Sequence, residues 1–413
     1  MFHHYATPPT MSGLTRPYEF SKQLHKYGYS SRVFSASYLH YTGDNLIEDD
    51  SLYIEDNDSM VPFTFIKTYP SSSNGLKRVL NMVSYYRNLI KTAKVLIKKG
   101  NIPDIIIASS PHPLTMFAGL KLSRKIGVPC ICEVRDFWPE VFFHGGRLNE
   151  NGLVGKMLLR GERWIYKKSD ALIFLKEGDV TYITDKGWST LQGGNVDTNK
   201  CHYINNGIDL KEFTENKVKH SYSDLDLGGE KFNVIYIGAI RPVNNVGNIV
   251  DAAKLLANYE DIQFLIYGDG NELESLRERV IEEQITNVKL KGYVDKKYVS
   301  TILSNSSVNI LNYSQSRYNW SRGNSSNKLF EYMASGKPII STVKIGYSPI
   351  EKYNCGITLA QDTSIALADG ILEIYNMSKD EYLTMSNNAI EGAKDFDYVE
   401  LTKKLVSVME REF

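Results

Sequence analysis

Short apolar runs rich in Val, Ile and Tyr alternate along the chain with longer stretches in which apolar residues recur at helical spacing. Runs of the first kind suit strands buried on both faces, and the alternation predicts parallel strands joined by crossover helices. In the first half the predicted strands are 31–37, 104–110, 128–134, 171–175 and 201–205. In the second half they are 232–239, 262–268, 288–294, 308–314, 337–343 and 355–360. The expected fold class is therefore α/β with two parallel-sheet units. The join is expected between Thr214 and Glu230, where apolar periodicity lapses and Asp, Ser, Lys and Gly dominate. This gives domains 1–215 and 216–395, followed by a terminal helix, 396–413. Ahead of the first loop, Thr7-Pro-Pro-Thr-Met-Ser-Gly13, stands only Phe2 to Ala6. Either the first strand is a stub or the start of the sequence lies inside the real one.

Length supports two domains, since 413 residues at about 150 per domain exceed one core. With 42% hydrophobic and 23% charged residues, the composition is that of a globular protein, which excludes a disordered scaffold. Lys plus Arg (48) equals Asp plus Glu (48), so no global field holds a polyanion, and nucleic acid is not an expected partner. The four cysteines are too few for a disulfide framework. Cys130 and Cys132 share one face of a predicted strand without a second ligand pair at metal spacing, and they read as buried thiols. Met1-Phe2-His3-His4 does not open a secretory signal and no apolar run is long enough to span a bilayer, so the expected compartment is the cytoplasm.

Locally, charge is uneven. Asn74 to Gly100 holds Lys77, Arg78, Arg87, Lys91, Lys94, Lys98 and Lys99 with no acid. Arg87, Lys91, Lys94 and Lys98 follow one helical face and Leu89, Ile90, Ala93, Leu96 and Ile97 lie opposite. The pattern suits either a core helix with a solvated basic face or a face attracted to an anionic bilayer or a lipid diphosphate held there. Between Asp44 and Asp58 there are seven acids and no base, expected to form a solvated loop.

The densest chemical signal is Gly323-Asn-Ser-Ser-Asn-Lys-Leu-Phe-Glu-Tyr-Met-Ala-Ser-Gly-Lys-Pro-Ile-Ile340. Polar residues give way to a helical stretch near Ser326, Gly336 stands where a C-cap belongs, and Pro338 precedes a strand. A helix N-terminus offers free N–H groups and a positive dipole end, so Ser325, Ser326, Asn327 and Lys328 suit a diphosphate, with the Lys328 ammonium as a point charge. Helical side chains tilt toward the N-terminus, so Glu331 can reach the same ligand and accept both hydroxyls of a ribose. Ordinary capping with a surface Lys–Glu pair is the plain alternative. Three further loops, Gly238-Ala-Ile-Arg241-Pro, Gly268-Asp-Gly270 and Gly292-Tyr293-Val294, each end a predicted strand, the edge at which open parallel sheets bind ligands. Together these features favour a nucleotide diphosphate in the second half. No Gly-x-Gly-x-x-Gly opens a helix and no Walker-type Gly-Lys-Ser/Thr occurs, which weighs against NAD binding and ATP hydrolysis.

In the first half, Glu133-Val-Arg135-Asp136-Phe-Trp-Pro-Glu140 follows a strand. Asp136 is a candidate for holding an acceptor hydroxyl or steadying positive charge at an anomeric carbon, with ion pairing to Arg135 as the alternative. His112, in Ser109-Ser-Pro-His-Pro113, and His144 either hydrogen-bond a ligand or hold their loops.

In their order these segments resemble the family-4 retaining glycosyltransferases of the GT-B fold, in particular a bacterial branch acting in surface polysaccharide assembly. The resemblance rests on Pro8-Pro-Thr-Met-Ser-Gly13, Arg16-Pro-Tyr-Glu19, Glu133 to Glu140, Ile204-Asn-Asn-Gly-Ile-Asp209, Tyr267-Gly-Asp-Gly270 and Lys328 to Pro338. It implies two Rossmann-like domains facing a cleft, an acceptor bound by the first, a nucleotide sugar bound by the second, and a last helix crossing back onto the first. By position, Glu331 resembles the carboxylate that grips the donor ribose. Tyr293 and Val294 match the base-binding segment, Gly238 and Gly268 the donor loops, and Ser325 to Lys328 the surroundings of the diphosphate and sugar. Gly13, Arg16, His112 and Arg135 fall in the acceptor and phosphate loops. Two departures stand out. A glutamate common in the family eight residues before Glu331 is Gly323 here, which leaves sugar positioning to backbone groups or to Asn324. An arginine and lysine common after the first strand of the second domain are Ala239 and Asn244, so Arg241 and Lys328 become the cations for the leaving group.

The implied activity is retaining transfer of a sugar, with UDP as nucleotide and no metal, to a saccharide acceptor linked to a polyprenyl diphosphate in capsule, exopolysaccharide or O-antigen synthesis. Arg241, Lys328 and Asp136 are the expected catalytic residues. Lys77, Arg78, Arg87, Lys91, Lys94 and Lys98 are the expected contact with the inner membrane face. A nucleotide-sugar 2-epimerase of the same fold and a non-catalytic partner subunit remain the alternatives.

Overall fold

The computed structural model describes residues 1–413 except 12, 58, 72–74, 145 and 413, and His144 by its backbone alone. The chain separates into two compact units, Met1–Asn205 with Leu401–Phe413, and Asn206–Glu400.

The first unit is built on strands β1 (Phe2–His3), β2 (Val33–Ala36), β3 (Tyr53–Asp56), β4 (Phe63–Ile66), β5 (Ile106–Ser109), β6 (Cys130–Val134), β7 (Ala171–Phe174) and β8 (Cys201–Tyr203). They form one sheet in the order β3-β4-β2-β1-β5-β6-β7-β8. All neighbours are parallel except β3, which runs antiparallel to β4. From β1 the chain winds outward to β2 and later returns to β5 on the other side, so the winding direction reverses between β1 and β5. Cys130, Cys132 and Val134 alternate onto one face of β6 and join a core with Met116, Leu120 and Tyr166, which leaves both cysteines as buried free thiols.

The second unit carries β9 (Phe232–Ile237), β10 (Ile262–Tyr267), β11 (Val288–Gly292), β12 (Val308–Leu311), β13 (Ile339–Ser341) and β14 (Gly356–Thr358). The sheet is wholly parallel, in the order β11-β10-β9-β12-β13-β14. Along β9 and β10, Val234, Tyr236, Phe264 and Ile266 enter one core while Ile235, Ile237, Leu265 and Tyr267 enter another. Each face of the sheet is therefore covered, as a doubly wound sheet requires. Its winding reverses between β9 and β12.

Three expectations need correction. The acidic run 44–58 is not all loop, because it contains the edge strand β3. Exposed Glu55 in that strand pairs with Arg32 at 2.6 Å, and charge on an edge strand is compatible with pairing on one side only. Asp58 lies outside the described residues. The buried strand β4 is a further strand that the periodicity reading omits. The polar segment from Thr214 is partly helical: Leu210–Lys219 is started by Asp209, whose side chain accepts from Glu212 N at 2.8 Å, and is held by Leu210 and Phe213 against the core. Capping and two anchors suffice where no apolar stripe exists.

The basic segment forms the helix Leu76–Lys98, burying Tyr85, Leu89, Ala93 and Leu96 and exposing Lys77, Arg87, Lys91, Lys94 and Lys98. Among the described residues no helix is long and apolar enough to cross a membrane.

Candidate active site

The second unit gathers its polar groups at the C-terminal edge of the sheet, around the reversal between β9 and β12. Here the strands end in glycines for a steric reason. Gly268 has φ +141°, and a Cβ there would run into Gly238 O. The glycines let adjacent strand ends close up, with Gly238 N donating to Tyr267 O (3.0 Å) and Gly268 N to Gly292 O (2.8 Å). Beyond β11, Tyr293 is 71% exposed and Val294 packs on the core, so an aromatic face is available at this edge.

The helix Asn327–Ala334 begins at the N-cap Ser326. Its entry loop is tied down by side chains: Asn324 Oδ1 accepts from Ser326 N (2.8 Å), and Asn206 Nδ2 donates to Ser325 O (2.6 Å). The helix is pinned to β9 by Tyr332, whose hydroxyl accepts from Ile237 N (3.0 Å) and donates to Ile237 O (3.1 Å). The first turn is left with free N–H groups beside the strand ends.

Lys328 projects from this turn into an aromatic cage. Its Nζ lies 4.6 Å from the Tyr236 ring centre and 4.1 Å from that of Tyr313, and it donates to Tyr236 Oη at 3.3 Å. With its carboxamide nitrogen donating to Ala239 O (3.0 Å), Asn244 accepts from the same ammonium at 3.3 Å. No carboxylate pairs with Lys328 among the described residues, and burial pushes it down to about 7. Cation–π attraction and two neutral acceptors hold a charge that a bound anion would complete. Glu331 lies one turn on and is pushed up by burial, with Lys296 pulling the other way. Arg241 is exposed on the loop after β9. The positions Ala239 and Asn244 carry no cation, but Asn244 and the Ala239 carbonyl both serve the Lys328 setting.

In the first unit the sequence-predicted residues divide by role. Gly13 is a close approach, since a Cβ there would strike the side chain of Thr7. Arg16 is only 3% exposed. It pairs with Glu133 at 2.7 Å and also donates to Ile204 O (2.8 Å) and Asn205 O, which makes it a strut between loops. Glu133 also accepts from Ser109 Oγ at 2.6 Å. Burial opposes its ionisation, yet the Arg16 and Arg135 guanidiniums hold it at about 2. Arg135 N donates to Ser110 Oγ (2.8 Å), which sets the loop that presents Asp136. Asp136 is exposed and makes no ion pair among the described residues. Together with His112 it lines a cavity of about 340 Å³ whose walls include Val79, Phe117, Trp138 and Met157. The floor holds Glu162, which accepts from Tyr166 Oη (3.0 Å) and Tyr182 Oη (2.7 Å) and is pushed up to about 7 by burial. The His144 side chain lies outside the described residues.

Sequence reasoning assigned no role to Asn206, Tyr236, Asn244, Tyr313 or Glu162. The Asn-Asn-Gly after β8 was the available signal for Asn206; the two tyrosines read as ordinary strand residues.

Two family models match the chain, "Glycosyl transferase 4-like domain" over residues 18–207 and "Glycosyl transferases group 1" over residues 222–393. The chain is a group 1 glycosyltransferase of the GT-B fold. This glycosyltransferase is 26% identical over 335 residues to 2-deoxystreptamine N-acetyl-D-glucosaminyltransferase of Niallia circulans, covering 78% of the present chain and 77% of that relative. It is 20% identical to the probable glycosyltransferase WbjE of Pseudomonas aeruginosa, covering 68% of each. Among solved structures it superposes on Anabaena HepE in complex with UDP with a TM-score of 0.67 at 15% identity, covering 99% of both chains. WaaG, a glycosyltransferase involved in lipopolysaccharide biosynthesis, gives a TM-score of 0.64 at 14% identity and 98% coverage of both. At these identities the structural matches report the fold.

Proposed function

We propose that this group 1 glycosyltransferase takes a UDP-sugar and transfers the sugar, with retention, to a saccharide acceptor linked to a lipid diphosphate in bacterial surface-polysaccharide synthesis. The observation that carries the donor side is the Lys328–Glu331 turn, set among glycine-ended strands at the winding reversal of the second sheet. There Gly238, Gly268, Asn324, Ser325, Ser326 and Asn327 approach the diphosphate and sugar, Glu331 grips the ribose, and Tyr293 with Val294 meets the base. The HepE structure in complex with UDP supports the choice of nucleotide. Lys328 and Arg241 stabilise the leaving diphosphate, whose own oxygen helps deprotonate the attacking hydroxyl.

The acceptor falls to the first unit, Met1–Asn205 with Leu401–Phe413, and the donor to the second, Asn206–Glu400. Asp136 and His112 orient the acceptor, while Gly13, Arg16 and Arg135 shape the loops around it. Lys77, Arg78, Arg87, Lys91, Lys94 and Lys98 meet the anionic cytoplasmic leaflet. Leu76, Val79, Leu80 and Val83, exposed on the same helix, supply apolar contact for a peripheral enzyme.

Calorimetric titration with UDP, GDP, ADP and CMP tests the reading. UDP is expected to bind selectively, and Glu331→Ala to weaken it about tenfold, as losing a charged hydrogen-bond acceptor does (~1.5 kcal/mol). Absence of binding at millimolar concentration would refute the donor-site assignment. An epimerised nucleotide sugar formed without acceptor would refute the transfer reading.

A further inference from the structure

At the winding reversal of the first sheet two histidines meet. His4 follows β1 and His112 follows β5, strands that pair directly through Phe2 with Ala108 and His3 with Ser109. His4 Nδ1 lies 2.6 Å from His112 Nε2, and both residues are only 1% exposed. The His4 ring is clasped between Tyr5 (ring centres 4.2 Å apart, planes at 29°) and Tyr85 (4.3 Å, 30°). Tyr85 is itself tethered by its hydroxyl to Phe34 O at 2.7 Å. His112 Nδ1 is buried without a hydrogen-bond partner among the described residues, and His112 lines the cavity that Asp136 also lines. A C-terminal edge at such a reversal is where open α/β sheets take their ligands.

An N···N contact this short holds one proton between the rings, so one imidazole donates and the other accepts. We propose that His4 is a positioning residue: by engaging Nε2 of His112 it fixes which nitrogen of that ring is protonated, so that His112 Nδ1 meets an acceptor hydroxyl in one defined hydrogen-bonding state. The inference rests on the acceptor site proposed above. If His4 donates, His112 Nδ1 carries a proton; if His4 accepts, His112 Nδ1 is a bare lone pair. Either way the tautomer of His112 is tied to that of His4, whereas a lone histidine sets its own. The arrangement excludes two imidazolium ions, which would put hydrogen against hydrogen, and two neutral rings satisfy it. Burial drives both well below the ordinary imidazole range, His112 to about 3, and Arg78 pushes the same way. That guanidinium lies over the Tyr5 ring at 4.7 Å, while His3 and Asn81 complete the surroundings of His4.

Two substitutions and two readouts test this in the full chain. His4→Phe keeps an aromatic ring between Tyr5 and Tyr85 but removes the nitrogen; His4→Asn returns a polar atom near the Nδ1 position. His4→Phe is expected to lower kcat/KM for the acceptor by about 10- to 100-fold, the range typical for loss of a supporting partner, with KM for the donor unchanged, and His4→Asn to recover part of the loss. In 15N imidazole spectra near neutral pH, His112 should show one protonated and one bare nitrogen in the wild type and averaged nitrogens in His4→Phe. Unchanged spectra in a His4→Phe protein that has lost activity would reduce His4 to packing and overturn the proposal, as would full activity. Wild-type protein inert with every UDP-sugar would instead sink the proposed function, while the spectra still report on the pair.

Discussion

Lys328 is the group whose behaviour most directly exposes the donor site. In the free protein burial sets it at about 7, so near pH 6 roughly nine-tenths of molecules carry the charge and near pH 8 roughly one-tenth. If the diphosphate selects the charged form, the Kd for UDP weakens about tenfold over that interval, ~1.4 kcal/mol. The sign follows from linkage: binding raises the lysine's pKa, so UDP brings in a proton, roughly three-quarters of one per site at pH 7.5. Calorimetry at pH 7.5 in buffers of different ionisation enthalpy measures that uptake, and titrations from pH 6 to 8.5 measure the affinity. UDP loses its own phosphate proton in the same range and thereby gains affinity, so the comparison is with Lys328→Arg, which stays charged throughout. The arginine variant should lack both the alkaline loss and the proton uptake. Identical pH dependence in the two proteins would refute the idea that Lys328 meets the diphosphate. In the absence of nucleotide, Lys328→Met should unfold at a higher temperature than wild type at pH 7, because it removes a charge that burial disfavours.

Glu133, at about 2 in the folded state against an ordinary 4.5, contributes stability above pH 4.5 that is lost as pH falls through 2, roughly 3 kcal/mol in all. Glu133→Gln should therefore be the less stable protein at pH 7 in denaturant titrations, with the gap closing in acid. Glu162, raised to about 7, behaves oppositely: its contribution is complete below pH 4.5 and is lost as pH rises through 7. Glu162→Gln should raise the unfolding temperature at pH 8 and leave it nearly unchanged at pH 4.5.

The sheet of the second unit was legible because its strands are apolar on both faces and end in glycine loops, a pattern that survives in a single sequence. The first sheet was less so. β3 lies among acids that the eye assigns to solvent, and β4 is a strand the periodicity omits. The helix start at Ser326 was written in local chemistry and stands where that chemistry puts it, while Gly336, with φ of +67°, supplies the left-handed residue just beyond the C-cap Ser335. Arg16 was visible as a motif, but its burial under Glu133 depends on residues more than a hundred positions away. The same is true of the Tyr236–Lys328–Tyr313 cage, which three separate segments assemble. Spacing along a chain carries caps and turns; it does not carry the partners that a fold brings from elsewhere.

The acidic outer strand has a consequence for the molecule in a crowded solution. β3 turns one row of backbone hydrogen-bonding groups toward β4 and the other away from the sheet. A second copy adding its own β3 to that open row would set Glu55 and Asp56 of each chain near their counterparts, at a spacing where unscreened carboxylates repel. The strand thus guards this margin, by charge, against edge-to-edge pairing of two copies. Raising the salt should erode that protection, and replacing both acids with threonine should leave the fold in place while making the concentrated protein prone to self-assembly along this border.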